Sequence, residues 1–185
     1  VLPSVINRPS RSKIVACIRI AVPYTGMIVS TRESADCRKK LLELGISQVS
    51  GGSKTSVGGY FQPMPEKEDS AQFDVSDRRP LDEVIKWLME LGYLPSFCTA
   101  CYRNGRTGDR FMEICKDKQI HNFCHPNAIL TLKEYLEDYA SPETKVVGDE
   151  LIAKEQRTLE CSEGVKLKVA EDLGKIEKGG RDFNF

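Results

Sequence analysis

The order of elements in the first fifty residues constrains the fold more than any other feature. Lys13–Val22 (KIVACIRIAV) is nearly continuously apolar and rich in Ile and Val. That pattern suits a strand buried on both faces, as in a parallel sheet. Pro23 and Gly26 mark its end. Ser34–Gly45 carries helix signals: a Ser cap, apolar Leu41, Leu42 and Leu44, and a terminal Gly. Ile46–Val49 reads as a second short strand. Strand, helix, strand predicts a parallel pair joined by a right-handed crossover. Two such strands leave both edges and one face bare, so the pattern predicts further strands upstream of Val1. The absence of an initial Met gives the same expectation of a missing or removed upstream part.

After Gly51 the run GGSKTSVGGYFQPMPEKEDS is glycine-rich and polar, and reads as a long loop. From Leu81 the chain turns helical, with Leu81, Val84, Ile85, Leu88 and Leu91 on one face, Asp77 as a cap and Pro80 in the first turn. Pro126–Asn127 open another helix, with Ile129, Leu132, Tyr135, Leu136 and Tyr139 inward. Asp149–Leu159 and Val165–Ile176 are further helices. The tail GGRDFNF has no period. The fold class expected is therefore α/β, an α/β end piece followed by a mostly helical C-terminal domain.

Composition narrows the partners. The 185 residues carry 27 basic and 27 acidic side chains, so no net field draws the chain onto nucleic acid or an anionic membrane. No apolar run approaches the roughly 20 residues of a membrane helix, and VLPSVINRPS lacks the apolar core of a signal peptide.

Four of the seven cysteines fall between Cys98 and Cys124. Cys98 and Cys101 are two residues apart in SFCTACYRNG, and Cys124 follows after twenty-two more in NFCHPNA. A Cys-x-x-Cys turn lets two thiolates converge on one metal centre, and a third from a distant segment fixes the geometry. Three thiolates on a cubane cluster leave one iron without a protein ligand. Arg103, Arg106 and Arg110 can offset an anionic cluster, although arginines in such a loop are more commonly solvated. Cys124 precedes a helix, whose N-terminal dipole favours an anion. The same three cysteines joined by His125, His121 or Cys115 would make a zinc site. A redox Cys-x-x-Cys is a third reading. Cys115, Cys17, Cys37 and Cys161 read as core residues.

GGSKTSVGG is not a phosphate loop, because Ser53 stands where that motif needs Gly before Lys54. The loops after the two strands, STRE and SGGSKT, would share one face. Arg32 could pair with a substrate carboxylate and Ser50 could add a hydrogen bond. The ordinary alternative is a surface Arg–Glu pair and a turn serine.

The runs IAVPYTGMIVSTRES, GISQVSGGSKTSVGGY, DRRPLDEVIKWLMELGYLPSFCTACYRNGRTGDRFMEICK and NFCHPNAILTLKEYLEDYA resemble the radical S-adenosylmethionine tyrosine lyases that mature FeFe hydrogenase. The likeness is strongest from Lys13 to Tyr139. STRE and GSKTSVGGY are also similar to the thiamine-pathway tyrosine lyase. The resemblance implies the terminal strands of a radical SAM (TIM-type) barrel over residues 1–59 and a helical domain binding an auxiliary iron–sulfur cluster over 60–185. It implies that the intact enzyme cleaves S-adenosylmethionine at a radical SAM 4Fe-4S cluster. It splits tyrosine into p-cresol and dehydroglycine, and converts the latter to carbon monoxide and cyanide for the H-cluster. The auxiliary 4Fe-4S cluster carries an additional labile iron held by free L-cysteine, and the product is an iron–CO–CN synthon. Cys98, Cys101 and Cys124 match the auxiliary-cluster motif, and Arg32 and Ser50 are candidates for binding tyrosine. Other hydrogenase maturation proteins are the implied partners, in the cytoplasm of an anaerobic organism. The radical SAM signature, Cys-x3-Cys-x2-Cys, fits no trio of cysteines here. It is expected upstream of Val1, so this chain alone is expected to lack lyase activity.

Overall fold

The computed structural model describes residues 8–56, 58–61 and 74–185. The stretch 62–70 of the expected glycine-rich loop, and Val57 within it, lie outside these. The chain forms two compact units, Val1–Leu81 and Asp82–Phe185.

The first unit overturns the expected long strand. Arg8–Ala21 is a helix, α1. Its half-buried residues Arg11, Ser12, Val15, Ala16 and Arg19 recur at helical spacing, whereas Ile14, Ile18 and Ile20 are exposed, Ile20 at 82%. Polar contacts hold it: Arg11 pairs with Glu33, and Arg19 donates to the carbonyls of Pro23 at 2.8 Å and Thr25 at 2.9 Å. Arg19 also reaches the Gly45 carbonyl at 2.5 Å. β-branched content alone misled the reading, because tertiary contacts override propensity. Cys17, expected inside a strand, is exposed on this helix.

The parallel pair exists, but it is short and starts later. β1 is Ile28–Val29 and β2 is Gln48–Val49, registered Ile28 to Gln48 and Val29 to Val49. Between them α2, Ala35–Glu43, starts where expected: the Ser34 side chain accepts from the Cys37 N–H at 3.4 Å. Leu41, Leu42 and Ile46 pack inward with Val29 and Val75. The strands of a closed barrel are not seen among the described residues.

A fully buried cation lies in this unit. Arg38 projects from α2 and pairs with Asp77, which was expected to cap a helix. Arg38 also donates to the Ser50 carbonyl, and the Asp77 N–H donates to the Thr31 carbonyl at 2.9 Å. Arg79 adds a two-pronged contact to the same carboxylate, at 2.9 and 2.7 Å. Burial pushes the Asp77 pKa up, but the Arg79 hydrogen bonds and the Arg38 charge outweigh it and hold it at about 2.

The second unit is helical. α3 (Leu81–Glu90) buries Val84, Ile85, Leu88 and Met89, and Leu81 stays exposed. α4 (Ala100–Arg103) and α5 (Gly108–Lys116) are short; α6 (Cys124–Asp138) is the central helix. Ile129, Leu130 and Leu132 on it are fully buried, whereas Tyr139, expected inward, is 76% exposed. α7 (Pro142–Thr158) begins earlier than Asp149 because Ser141 caps it, its Oγ accepting from Thr144 N–H at 3.3 Å, with Pro142 in the first turn. α8 (Glu163–Glu177) completes the core through Val169, Leu173 and Ile176. Lys133 of α6 joins three helices by contacting Glu137, Asp149 and Glu177 at 3.0, 2.8 and 3.2 Å. Among the described residues, no helix is long and apolar enough to cross a membrane.

Candidate metal centre

The cysteines nominated by spacing lie on two segments of the second unit. Cys98 precedes α4, and its Sγ accepts from the Ala100 N–H at 3.4 Å. Cys101 sits within α4, its carbonyl accepting from the Arg106 N–H at 2.8 Å. Cys124 is the first residue of α6, at the positive end of the helix dipole. Beside Cys98, the Phe97 N–H donates to Thr131 Oγ1 at 3.3 Å, and the Phe97 ring stacks on Tyr135 with centroids 5.1 Å apart. Those contacts tie the Cys-x-x-Cys turn to the middle of α6.

The thiols share one electrostatic neighbourhood. Burial, and then the negative charges of Cys101, Cys98 and Cys115, raise the Cys124 pKa to about 11; Arg106 pulls it down. Cys124 as a whole residue is exposed, and the other three thiols act on it through their charge. Cys115, expected in a core, is half-buried on α5, a helix with no fully buried residue. Among the described residues no three His, Cys, Asp or Glu side chains are arranged to hold a metal ion.

Arg106 was nominated only as one of three arginines. It is buried, with its guanidinium 4.4 Å from the Phe123 ring centroid, and it donates through Nη2 to the Phe185 backbone oxygen. Its Nε is buried without a hydrogen-bond partner. Of the two histidines, His125 faces Glu155, Nε2 to Oε2 at 2.8 Å, and His121 is exposed.

Arg32 and Ser50 lie in the first unit. Arg32 is exposed three residues past β1, and Ser50 follows β2 directly, its N–H donating to the Val29 carbonyl at 3.1 Å. Because the strands are parallel, both residues leave the same end of the pair. A cavity of about 560 Å³ opens nearby on the glycine loop, lined by Gly51, Gly52, Lys54, Tyr60, Arg78 and Arg79 among others. Neither Arg32 nor Ser50 lines it.

Residues 4–94 match the Biotin and Thiamin Synthesis associated domain. Over 99% of its length the chain superposes on the crystal structure of HydG, a maturase of the FeFe hydrogenase, with a TM-score of 0.90 and 50% sequence identity. These matches support a C-terminal piece of a HydG-like protein. The chain spans 39% of that HydG chain. It is also 35% identical over 77 residues to 2-iminoacetate synthase of Escherichia coli, a match covering 42% of this chain and 20% of that enzyme. The Salmonella typhimurium 2-iminoacetate synthase is 34% identical over 92 residues, covering 50% of this chain and 24% of the relative.

The associated-domain match ends at residue 94, four positions before Cys98, whereas the likeness to HydG runs across all the cysteines. Three cysteines, a helix N-terminus and a buried arginine with a spare donor lie on these elements, and thiolates are the usual ligands of iron–sulfur clusters. The seven cysteines do not fit the radical SAM cluster, because no three have its spacing.

Proposed function

We propose that this chain is the C-terminal part of a radical SAM tyrosine lyase that makes carbon monoxide and cyanide for FeFe-hydrogenase maturation, and that Cys98, Cys101 and Cys124 hold its auxiliary cluster. The carrying observation is the Cys98-x2-Cys101-x22-Cys124 spacing in a chain 50% identical to HydG, and the action of the Cys101 and Cys98 charges on Cys124 supports it. When bound, the cluster supplies an iron without a protein ligand, at which free L-cysteine holds the labile iron of an iron–CO–CN synthon. The protein's own part is to present three thiolates, orient them through Phe97 and α6, and offset their charge with the α6 N-terminus.

In the intact enzyme residues 1–59 complete the radical SAM barrel that binds its 4Fe-4S cluster and S-adenosylmethionine, and residues 60–185 form the cluster domain. Arg32 and Ser50, leaving the same end of the strand pair, take the tyrosine carboxylate and amino group. Other hydrogenase maturation proteins receive the product, in the cytoplasm of an anaerobic organism. The chain by itself lacks the radical-forming cysteines, so it releases no p-cresol from tyrosine; detection of p-cresol would overturn that statement.

Anaerobic reconstitution with iron and sulfide, followed by electron paramagnetic resonance, tests the cluster. A reduced 4Fe-4S signal that shifts with L-cysteine and disappears in Cys98→Ala, Cys101→Ala and Cys124→Ala is expected. The nearness of Cys115 supports a second reading, a four-thiolate zinc site in a non-enzymatic interaction domain. Stoichiometric zinc requiring all four cysteines, with no iron–sulfur signal, would favour it.

A further inference from the structure

Residues 179–185 have no hydrophobic period, yet they are bound along a single stripe of α6. Arg181 holds Asp138 through Nε at 2.8 Å and Nη2 at 2.5 Å. The Phe183 N–H donates to Glu134 Oε1 at 3.2 Å. The Phe185 N–H donates to Asn127 Oδ1 at 2.9 Å, and Asn127 Nδ2 returns a long bond to the Phe185 oxygen at 3.5 Å. From Asp138 through Glu134 to Asn127, the tail runs toward the end of α6 that begins with Cys124. On its other side Asp182 pairs with Arg103 of α4 at 2.6 Å, and the Phe185 oxygen receives Arg106. The tail therefore joins the segment carrying Cys98 and Cys101 to the helix carrying Cys124.

Arg106 stands at that junction. Its position is fixed by the Cys101 carbonyl, the Phe123 ring and the Phe185 oxygen, which leaves Nε as a buried donor without an acceptor. Such a donor is costly when nothing satisfies it. The Arg106 charge acts on the Cys124 thiol, which also feels Cys101, Cys98 and Cys115. We propose that Arg106 is the charge-compensating hydrogen-bond donor to the anionic thiolate-bound group, and that residues 181–185 are the strap that positions it. Hydrogen bonds and positive charge near cluster sulfurs favour the reduced, more negative state. Removing Arg106 then lowers the midpoint potential and loosens the iron. This inference rests on the cluster reading above.

The test uses the reconstituted 185-residue chain. Arg106→Gln, Arg106→Lys, a chain stopped after Gly180, and the exposed-residue control Lys40→Gln are compared with wild type. Circular dichroism checks folding. The readouts are midpoint potential from a redox titration followed by electron paramagnetic resonance, and the rate of iron loss to a chelator. Arg106→Gln and the shortened chain are expected to show a lower potential and several-fold faster iron loss. Arg106→Lys should keep most of the potential, and Lys40→Gln should match wild type. If wild type loads a cluster but Arg106→Gln leaves both readouts unchanged, Arg106 has no such role. If Arg106→Gln alone has the effect, the strap is overturned. If wild type loads no cluster, the cluster reading fails and takes this inference with it.

Discussion

Among single residues, the pair Arg38–Asp77 is the most consequential outside the metal centre. Both side chains are almost fully buried, so their attraction is little screened. Removing Asp77 strands the Arg38 charge, which costs about 3–5 kcal/mol, whereas removing Arg38 leaves the carboxylate its two bonds from Arg79. Asp77→Ala is therefore expected to lower unfolding free energy by an amount in that range, and Arg38→Ala by less, read from urea denaturation. Asp77 titrates at about 2 when folded, below its ordinary 3.8. The unfolded chain thus binds this proton more tightly, and the stabilisation present above about pH 4 is lost as pH falls toward 2. Asp77→Asn should flatten that acid limb of the stability curve; an unchanged limb would rule out Asp77 as its source. Neither residue stood out in sequence as a pair, because 39 positions separate them and each has an ordinary surface use. The same holds for Arg106, whose burial depends on Phe185. The cysteine pattern could be read without a fold because spacing is a property of the sequence itself.

At the scale of elements, legibility followed the hydrophobic period. α3 and α8 were readable from their apolar stripes. α6 was nearly so, except that it begins two residues early, at Cys124. α1 was misread because its isoleucines include exposed ones, so the apolar run did not mark a buried strand. The close approach of α6 and α7 was invisible in sequence, yet it rests on one glycine. A Cβ at Gly148 would overlap both δ-carbons of Leu136, the second at 2.6 Å, and Leu136 is 2% exposed. Alanine would ordinarily favour a helix interior by roughly 0.5–1 kcal/mol. Here overpacking wins, and Gly148→Ala should destabilise by about 1–3 kcal/mol. A gain in melting temperature would show that the helices can part without cost.

For the whole molecule, the division into two units sets the expectation for dynamics. The second unit holds the main core, centred on Ile129, Leu130, Leu132 and Ile176, each fully buried. The first has a small apolar core and relies on the Arg38–Asp77 network. Native-state hydrogen exchange should therefore be slowest in α6 and α8 and faster in α1, whose amides are backed by few buried side chains. Equal protection in α1 and α6 would contradict this ranking.

The long reach of the tail also has a bearing on synthesis. Arg106 waits for an acceptor 79 positions further along the chain. At about 5–20 residues per second, that separation is several seconds or more of translation. A nascent chain will have made all three cysteines well before the segment that joins them exists. Ribosome-bound chains halted before Arg181 should accordingly be alkylated faster at Cys98 and Cys101 than released chains, with Cys124 exposed in both. The last contacts of the fold are then made only after translation, with no separate timing device.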